Sequence, residues 1–544
     1  MLNFYFSRRA AYILTALLGL LLAGFSNVRA DGYQLSQNLQ SNQILSSNFQ
    51  LSSDGKYVVY QVFTNQNGFQ GSQLFSVNAA TGSRKALTPL VIGDGKFIGQ
   101  FKIAPNGQFV VFNASLESDA INRSELYSIP ITANNPNMRE NIGNIPATLQ
   151  ANINDFSISP NSLHVVYQMT EQNAVGDFFG TLNRVAPGGG ATTLLTPHVS
   201  TDFASEAVFA PDSSRIVYLS GTPDGERYKS VSLDGTGRKT LTDQRERMTV
   251  ITPDSQRIVY LANSSPRGDG EDRIYSITLT GNGNRKQLSR NGEQIFDFKF
   301  ANGIPTVIYS FMPASDPNFS PTSFGFVPAD RSELSVSYNI NKAINSYIVS
   351  PDNLSIIYRG AQFLGGASQL YSLTFPNNVA LDQQISNAPI NQAGFLNVND
   401  FKITPNSQRV IFHAQQGNVF SFPPDLFSVA IANNPVSVKL DTLPGEDSPN
   451  AAQYGVGSYF ISPDSQRVIF GYSLTDGSCC GNNLYTNSVT GGTPPAFATN
   501  ADDQFFQTSV KFASDGLRVI YVKNIYDEFG NYLSAAIWAA NVPQ

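Results

Sequence analysis

Three repeated features of the sequence predict an all-β protein, namely a β-propeller of about ten four-stranded blades. A short turn built on Asp or Asn recurs ten times, at intervals of 42 to 58 residues. Each turn is followed by an apolar triplet that ends in an aromatic residue, and then by a strand-like segment such as Leu-Tyr-Ser-Leu. This period is the one expected when each repeat forms one propeller blade.

The clearest copy of the turn is Pro463-Asp464-Ser465. Proline presets φ and the Asp side chain hydrogen-bonds the backbone just ahead of it, so the segment predicts a tight turn between two strands, A and B. The ten turns are centred on the residues Asp54, Asn106, Asn161, Asp212, Asp254, Asn302, Asp352, Asn406, Asp464 and Asp515.

The segments around each turn predict the four strands of a blade. Strand B is the apolar triplet, for example Val468-Ile469-Phe470, and such an uninterrupted run suits a strand buried on both faces. Alternating apolar residues before the turn, such as Phe101 and Ile103, predict strand A. Strand C follows strand B, and strand D ends in Leu-Thr or Leu-Ser, as at Leu87-Thr88.

The two ends of the chain predict how the propeller closes. Ser36 of Leu35-Ser36 lies 18 residues before Asp54, as Thr88 lies 18 residues before Asn106, so it resembles the end of a strand D. The tenth repeat stops after its strand C, around Ile537. We therefore expect the N-terminal strand to complete the last blade, which removes exposed sheet edges.

Residues 31–544 then form one propeller domain. The alternative is two propellers divided between residues 290 and 345, because repeats 7 to 10 resemble repeats 1 to 4.

The pattern Ser-Pro-Asp-Ser-Gln-Arg-Val-Ile-Phe at residues 462–470, together with the Leu-Tyr-Ser and Leu-Thr segments, resembles the WD40-like (PD40) repeat of TolB-type β-propellers. Ser-Gln stands here where that family often has Gly-Lys. The resemblance covers roughly residues 33–544, without the α/β domain that precedes the propeller in TolB. It implies a propeller fold and a partner among envelope proteins, such as a peptidoglycan-associated lipoprotein.

Residues 1–30 have the features of a secretory signal peptide. Arg8 and Arg9 precede an apolar run from Ala10 to Phe25, and Val28-Arg29-Ala30 suits a cleavage site. We therefore expect a periplasmic or secreted protein that starts near Asp31 and has no membrane span after cleavage. The net charge of −6, with no basic tract, argues against nucleic acid as a partner.

Chain direction predicts which end of the propeller binds ligands. The A–B turns are uniformly short and share one face with the C–D turns. Long and variable stretches fall in the B–C and D–A connections, such as Asn113 to Arg123 and Pro89 to Gly99. Variable loops on a rigid scaffold often carry function, so the B–C face is the predicted binding surface.

Four lysines, Lys102, Lys299, Lys402 and Lys511, occupy the same column of strand A. One interpretation is Asp–Lys pairing between blades near the channel, because Asp297 and Asp400 lie two residues before two of these lysines, on the same strand face. The other interpretation is a basic collar that binds an anionic ligand. It makes the four lysines the candidate ligand-binding residues.

Other chemistry is sparse in the sequence. It has no Gly-x-Ser-x-Gly elbow, no His-Glu-x-x-His and no phosphate loop, and its histidines, His164, His198 and His413, are widely separated. We therefore predict no catalytic residue, metal or cofactor. Cys479 and Cys480 are adjacent, and in an oxidising compartment they could form a vicinal disulfide that stiffens a loop; an incidental pair is the alternative.

Together these observations predict a monomeric, exported propeller that binds an envelope protein or an extracellular ligand. The alternative is a propeller-type hydrolase or lyase that acts on a polysaccharide or peptide in the channel.

Overall fold

A computed structural model describes residues 32–542, apart from 37–38, 41, 67, 94, 117–122, 146–150, 173–177, 200–202, 264–270, 282, 284, 315–319, 363–365, 375–380, 387–395, 417–423, 432–434, 443–453, 475–483, 493–495, 500–509 and 527–531. Over these residues the secondary structure is strand, with a single 3₁₀ turn at Pro136–Met138. In the same residues no helix has the length and apolarity needed to cross a membrane.

The strands form ten antiparallel sheets, and each sheet is one blade with its strands in the order A, B, C, D. Blades 1 to 5 contain Gln43–Leu51, Tyr57–Gln66, Phe69–Asn78 and Arg84–Ala86; Phe97–Ile103, Phe109–Ser115, Glu125–Pro130 and Glu140–Asn141; Ala151–Ile158, Val165–Gln172, Phe178–Val185 and Thr193–Leu194; Phe203–Phe209, Arg215–Thr222, Gly225–Ser232 and Lys239–Thr240; Arg247–Ile251, Arg257–Asn263, Asp272–Thr278 and Lys286–Gln287. Blade 1 has a fifth strand, Val91–Ile92.

Blades 6 to 10 repeat the arrangement. They contain Glu293–Phe300, Thr306–Pro313, Ser323–Pro328 and Val336–Asn339; Ala343–Val349, Ser355–Ala361, Gln369–Thr374 and Leu381–Gln384; Leu396–Ile403, Arg409–Gln416, Asp425–Ala430 and Val438–Lys439; Tyr454–Ile461, Arg467–Leu474, Leu484–Ser488 and Ala496–Thr499; Val510–Phe512, Arg518–Tyr526 and Tyr532–Asn541, with Tyr33–Gln34 as the strand D of blade 10. The predicted fold class, ten four-stranded blades in an all-β propeller, is confirmed.

The N-terminal strand closes the propeller as predicted. Tyr33 is paired with Ala539 and Gln34 with Trp538, so the first strand lies beside strand C of blade 10. The Leu35 amide then donates to the Ile537 carbonyl (2.7 Å). The first and last strands of the chain therefore belong to one sheet.

In other blades the Leu-Thr or Leu-Ser segment holds the end of strand D beside strand C, as Leu35-Ser36 does in blade 10. The regular strand D ends just before the leucine, which is buried, and the hydroxyl of the next residue accepts a hydrogen bond from strand C. In blade 1, Thr88 Oγ1 accepts from the Leu74 amide (2.9 Å). Ser36 Oγ accepts in the same way from the Ile537 amide (2.9 Å), and so do the hydroxyls of Thr196, Thr242, Ser289 and Ser386 in their own blades.

Apolar clusters between neighbouring blades hold the ring together. The triplet of strand B divides between two joints: Val58 and Tyr60 face blade 10, whereas Val59 faces blade 2. Equivalent clusters lie between every pair of consecutive blades, including blades 5, 6 and 7, which span residues 290–345. The last cluster joins Ile520 and Ile537 of blade 10 to blade 1. Each triplet is therefore uninterrupted because both faces of strand B are covered.

The aromatic residue of strand B stacks on the aromatic residue of strand C. In blade 1 the rings of Tyr60 and Phe75 lie 5.5 Å apart with 22° between their planes. The same pair recurs as Phe112–Tyr127, Tyr260–Tyr275, Tyr358–Tyr371, Phe412–Phe427 and Phe470–Tyr485. Blade 6 has Gly325 opposite Tyr309 instead, and the ring of Tyr309 covers the glycine.

A series of hydrogen bonds between A–B turns explains the serine that follows the Asp or Asn of the turn in several repeats. Ser465 has a φ of 62°, and its Oγ accepts from the Asn406 amide in the A–B turn of the preceding blade (3.0 Å). Side chains at the same position form this bond at five further joints, namely Ser162, Ser213, Ser255, Asn353 and Ser407. Gly55 takes the position where the ring closes, because a Cβ there would lie 2.7 Å from the Ser514 backbone nitrogen.

We expect Ser465→Ala to lower the free energy of unfolding by about 0.5–1.5 kcal/mol, because it removes the acceptor of the Asn406 amide but keeps the positive φ. Ser465→Gly loses the same bond but relieves about 1 kcal/mol of left-handed backbone strain. Urea unfolding should therefore place the glycine variant closer to the wild type than the alanine variant. Equal stabilities of the two variants would contradict this account of the turn.

Candidate functional site

The candidate site lies on strand A, the inner strand of the blades. In blades 1 to 9 the pairing of strands A and B contains a register shift, as between Val398 and Asp400 in blade 8. Such β-bulges re-aim the side chains around them. The four predicted lysines follow the bulge or, in blade 10, occupy the equivalent position at Lys511, where they face the strand A of the next blade.

Each of the four lysines bonds a backbone carbonyl of the following blade. Lys402 Nζ donates to the Tyr459 carbonyl (2.7 Å) and lies 4.4 Å from the centroid of the Tyr459 ring. The same pair of contacts is formed by Lys102 with Phe156, by Lys299 with Tyr347 and by Lys511 with Phe49. The lysines thus link the inner strands of successive blades, and Lys511 links blade 10 to blade 1.

Carboxylates accompany the lysines at longer distances. Lys102 Nζ lies 3.8 Å from Asp155 Oδ1 of the next blade, and Lys299 Nζ lies 3.7 Å from Asp297 Oδ2 of its own blade. The Lys102 and Lys299 side chains keep 33% and 41% of their exposure, so part of each remains open to solvent. The lysines therefore connect the blades mainly through hydrogen bonds from their ammonium groups to backbone carbonyls. The basic collar that binds an anionic ligand stays a prediction.

The structure brings Asp400, His413 and Tyr459 together beside Lys402. His413 Nδ1 lies 3.2 Å from Asp400 Oδ2, and the Tyr459 hydroxyl lies 3.0 Å from Asp400 Oδ1. The rings of His413 and Tyr459 meet edge to face with centroids 4.6 Å apart. Asp400 thus receives polar contacts from strand B of its own blade and strand A of the next.

Exposure distinguishes the members of this cluster. The His413 side chain is 5% exposed, and its Nε2 is enclosed without a hydrogen-bond partner among the described residues. The Asp400 side chain is 59% exposed, so its carboxylate can be reached from solvent. An accessible carboxylate backed by a histidine is an arrangement that can accept and relay a proton.

The surroundings of the cluster shift the pKa of three of its side chains. Burial acts to raise the pKa of Asp400, but the bonds and charges of His413, Tyr459 and Lys402 outweigh it and hold the pKa below its ordinary value of 3.8. Burial lowers the pKa of Lys402, with Asp400 acting in the opposite direction. Burial and the neighbouring Asp400 raise the pKa of the Tyr459 hydroxyl. Asp400 is therefore the charged acceptor of this site.

We expect Asp400→Asn to destabilise the protein near pH 7 but much less in acid. Because the pKa of Asp400 is lower in the folded state than in the unfolded state, its stabilisation is present above about pH 4 and is lost as the pH falls through the folded value. The measurement is the midpoint of thermal unfolding for both proteins between about pH 7 and pH 2.5. Asp224→Asn, at an exposed turn of blade 4, is the control; a difference for Asp400→Asn that stays constant down to pH 2.5 would contradict the prediction.

The other histidines lie at different places in the ring. His198 Nε2 is 2.7 Å from Glu171 Oε2 and its ring stacks on Phe179, whereas His164 lies beside Arg184. Across the described ranges, no three side chains of His, Cys, Asp or Glu are grouped as metal ligands. Cys479 and Cys480 lie outside the described residues, so their disulfide stays a prediction.

The B–C face differs from blade to blade more than the opposite face. Strand B of blade 2 runs three residues further than the sequence predicted, so that Asn113 to Ser115 are strand and not loop. The hairpin of strands B and C in blade 1 is longer still, with Tyr57–Gln66 paired to Phe69–Asn78. The B–C hairpins on this face therefore differ in length.

Sequence comparison and structure comparison give different results for this chain. No family model matches it, and no curated protein matches it. Among solved structures it is similar to a prolyl endopeptidase (10% identity, TM-score 0.35, over 80% of this chain and 55% of that one). The chain thus spans about half the length of that enzyme.

Two other solved structures match most of their own length. They are an oligogalacturonate lyase from Vibrio parahaemolyticus (12% identity, TM-score 0.33, over 65% of this chain and 95% of that one) and a putative TolB from Agrobacterium tumefaciens (14% identity, TM-score 0.26, over 56% and 98%). Similarities of this size carry no argument about activity.

Proposed function

We propose that this protein is an exported, TolB-like β-propeller that acts as a protein- or ligand-binding module of the cell envelope. The observation that supports the proposal best is the contrast between the two faces of the ring. The A–B turns are tied to one another by hydrogen bonds, whereas the B–C hairpins differ in length and expose side chains. A rigid ring with a diverse rim suits recognition of a partner.

The proposal includes location and assembly. The basic and apolar N-terminal segment supports export to the periplasm or the medium. Closure of the ring by Tyr33–Gln34 pairs strand C of blade 10 within the same chain, so a monomer completes its own fold. The partner is an envelope protein or an extracellular ligand.

The test is capture of partners from an envelope extract on the immobilised protein, beside a panel of glycans and peptides assayed for turnover. We expect a stoichiometric partner or ligand and no turnover. Turnover that disappears on substitution of a single carboxylate would refute the binding module in favour of an enzyme.

A hydrolase or lyase that acts on a polysaccharide or peptide is the second candidate, because the Asp400 carboxylate is accessible and is backed by the buried His413. For an enzyme of this kind, Asp400→Asn should reduce kcat by a factor of about 100 or more while the protein remains folded. Asp224→Asn should leave kcat unchanged.

A further inference from the structure

Two charged residues on strand A of blade 8 differ in their contacts from their counterparts in blade 6. In blade 6, Asp297 and Lys299 lie two residues apart and form an ion pair, with Lys299 Nζ 3.7 Å from Asp297 Oδ2. Blade 8 has the same spacing in Asp400 and Lys402, yet among the ion pairs of the described residues none joins these two side chains. Both are exposed to solvent. Blade 8 therefore presents an accessible carboxylate and an accessible ammonium that are not bonded to each other.

A histidine on strand B accounts for this difference. His413 stands opposite Asp400 in the strand pairing, whereas Ser310 stands opposite Asp297 in blade 6. His413 Nδ1 lies 3.2 Å from Asp400 Oδ2 and carries the proton of this bond, because a charged carboxylate only accepts hydrogen bonds. The shorter serine leaves Asp297 to pair with Lys299. The histidine thus draws the carboxylate of blade 8 toward strand B.

Tyr459 of the next blade holds the two charges apart. Its hydroxyl lies 3.0 Å from Asp400 Oδ1, its carbonyl accepts from Lys402 Nζ (2.7 Å), and its ring centroid is 4.4 Å from the same ammonium. The Tyr459 hydroxyl also lies 3.1 Å from a strand B carbonyl, the contact that the Tyr347 hydroxyl forms at the same place in blade 6. Tyr459 is 2% exposed, so a buried side chain fixes both charged groups.

The backbone that carries the two charges is fixed from both neighbouring blades. The register shift of blade 8 falls at Asn399, directly before Asp400. Arg359 of blade 7 donates a hydrogen bond to the Asn399 carbonyl, and Lys402 links the same strand to blade 9. A ligand that binds here therefore has little to order, which favours affinity.

The two charges suit a ligand that carries one charge of each sign. The bonds from His413 and Tyr459 outweigh burial and keep the pKa of Asp400 below its ordinary value, so the carboxylate is ionised at neutral pH. An anion bound to Lys402 would be repelled by Asp400, and a cation bound to Asp400 would be repelled by Lys402. A zwitterion forms charge-assisted hydrogen bonds with both side chains.

The spacing of the side chains favours a free α-amino acid among zwitterions. Alternate residues of a strand have their α-carbons about 7 Å apart. An α-amino acid carries its ammonium and carboxylate on one carbon, and a hydrogen bond of about 3 Å at each end lets it span such a gap. Each residue added to an extended peptide moves its two end groups about 3.3 Å further apart, so a long peptide does not bring both to this pair.

From this geometry we propose that Asp400 and Lys402 bind the ammonium and the carboxylate of a free α-amino acid. The inference rests on the proposed binding function and names a ligand class for strand A of blade 8. His413 and Tyr459 are positioning residues, because both are buried and act on the ligand through Asp400 and Lys402.

The test is calorimetry of the purified protein with the free L-amino acids, followed by the N-acetyl and the amide derivatives of those that bind. At least one amino acid should bind, and each blocked derivative should bind about tenfold or more weakly, because it lacks one of the two charges. Asp400→Asn and Lys402→Met should each weaken binding by about tenfold or more. Circular dichroism will show that each variant is folded at the temperature of the titration.

Variants of His413 separate positioning from folding. His413→Ser copies the arrangement of blade 6, so Asp400 should turn to Lys402 and binding should weaken about tenfold although both charges remain. His413→Asn should restore most of the affinity, because its amide can donate to Asp400 as Nδ1 does. Asp297→Asn, at the counterpart in blade 6, is the matched control and should leave binding unchanged.

Failure of every free amino acid to bind the wild type would overturn the inference. A blocked derivative that binds as tightly as its parent would also overturn it, because the site would then recognise a single charge. Equal affinities of Asp400→Asn, Lys402→Met and Asp297→Asn would do the same by placing the amino acid elsewhere. If no amino acid binds while an envelope protein is captured equally by the wild type and Asp400→Asn, the amino acid assignment fails and the binding module stands.

Discussion

Removing residues 31–40 should lower the free energy of unfolding by about 4 kcal/mol or more. The deletion exposes the pocket of Leu35, which is 2% exposed, and that of Tyr33, and burial of each such side chain contributes about 1.5–3 kcal/mol. It also removes the hydrogen bonds from Leu35 and Ser36 to Ile537, worth about 0.5–1.5 kcal/mol each. Strand C of blade 10 becomes an unpaired edge, so the truncated protein should also aggregate.

Thermal unfolding and light scattering of chains that begin at residue 31 or at residue 41 measure both effects. Deletion of residues 265–269, between strands B and C of blade 5, is a control that should cost much less, because three residues still connect the paired Asn263 and Asp272. Ser36→Ala and Thr88→Val should have similar costs, because both hydroxyls accept the same strand C hydrogen bond. Equal melting temperatures for the two chain starts would show that the ring does not depend on its N-terminal strand.

Gly325→Ala should destabilise the protein by about 3 kcal/mol, an unusually large cost for one methyl group. A Cβ at Gly325 would lie 2.1 Å from Cζ of Tyr309, whose ring is fully buried and cannot move aside. Displacing that ring would also break the bond from the Tyr309 hydroxyl to Glu293 Oε2 (2.9 Å), which leaves a buried carboxylate without it.

Urea unfolding of Gly325→Ala and Gly188→Ala provides the comparison, because a Cβ at Gly188 has no atom within 4 Å. In addition, Tyr309→Leu should cost less in the Gly325→Ala background than in the wild type, since the two changes relieve the same clash. A Gly325→Ala variant as stable as Gly188→Ala would mean that strand C of blade 6 can shift away from the ring of Tyr309.

The architecture followed from features that act over a few residues. The Pro-Asp turn sets its own backbone through proline geometry and the Asp side chain, and the triplets after it mark a strand covered on both sides. Leu35-Ser36 could be recognised as a strand D ending because Ser36 lies as far before the turn at Asp54 as Thr88 lies before the turn at Asn106, and both hydroxyls accept a hydrogen bond from a strand C. The sequence therefore determined the repeat, the number of blades and the closure.

The site was only partly predictable. The position of Lys402 in the column of lysines was visible, and a period of two placed Asp400 on the same strand face. The cluster around Asp400 was missed, although His413 directly follows the triplet of strand B and lies opposite Asp400 in the strand pairing. That pairing was a usable signal, because residues opposite each other in an antiparallel ladder lie on one face.

Only the tertiary structure decided which residues form hydrogen bonds between neighbouring blades. The Tyr459 carbonyl that Lys402 bonds belongs to the next blade, 57 residues away in the chain, and the Asn406 amide meets Ser465 across 59 residues. The close contact of Gly325 with Tyr309, by contrast, lies within blade 6, where the glycine stands opposite the tyrosine in place of an aromatic residue. Local turn chemistry and the strand period determine the fold of each blade. The contacts between neighbouring blades depend on the spacing and twist of the packed sheets, because no short segment of the chain encodes the distance between two sheets.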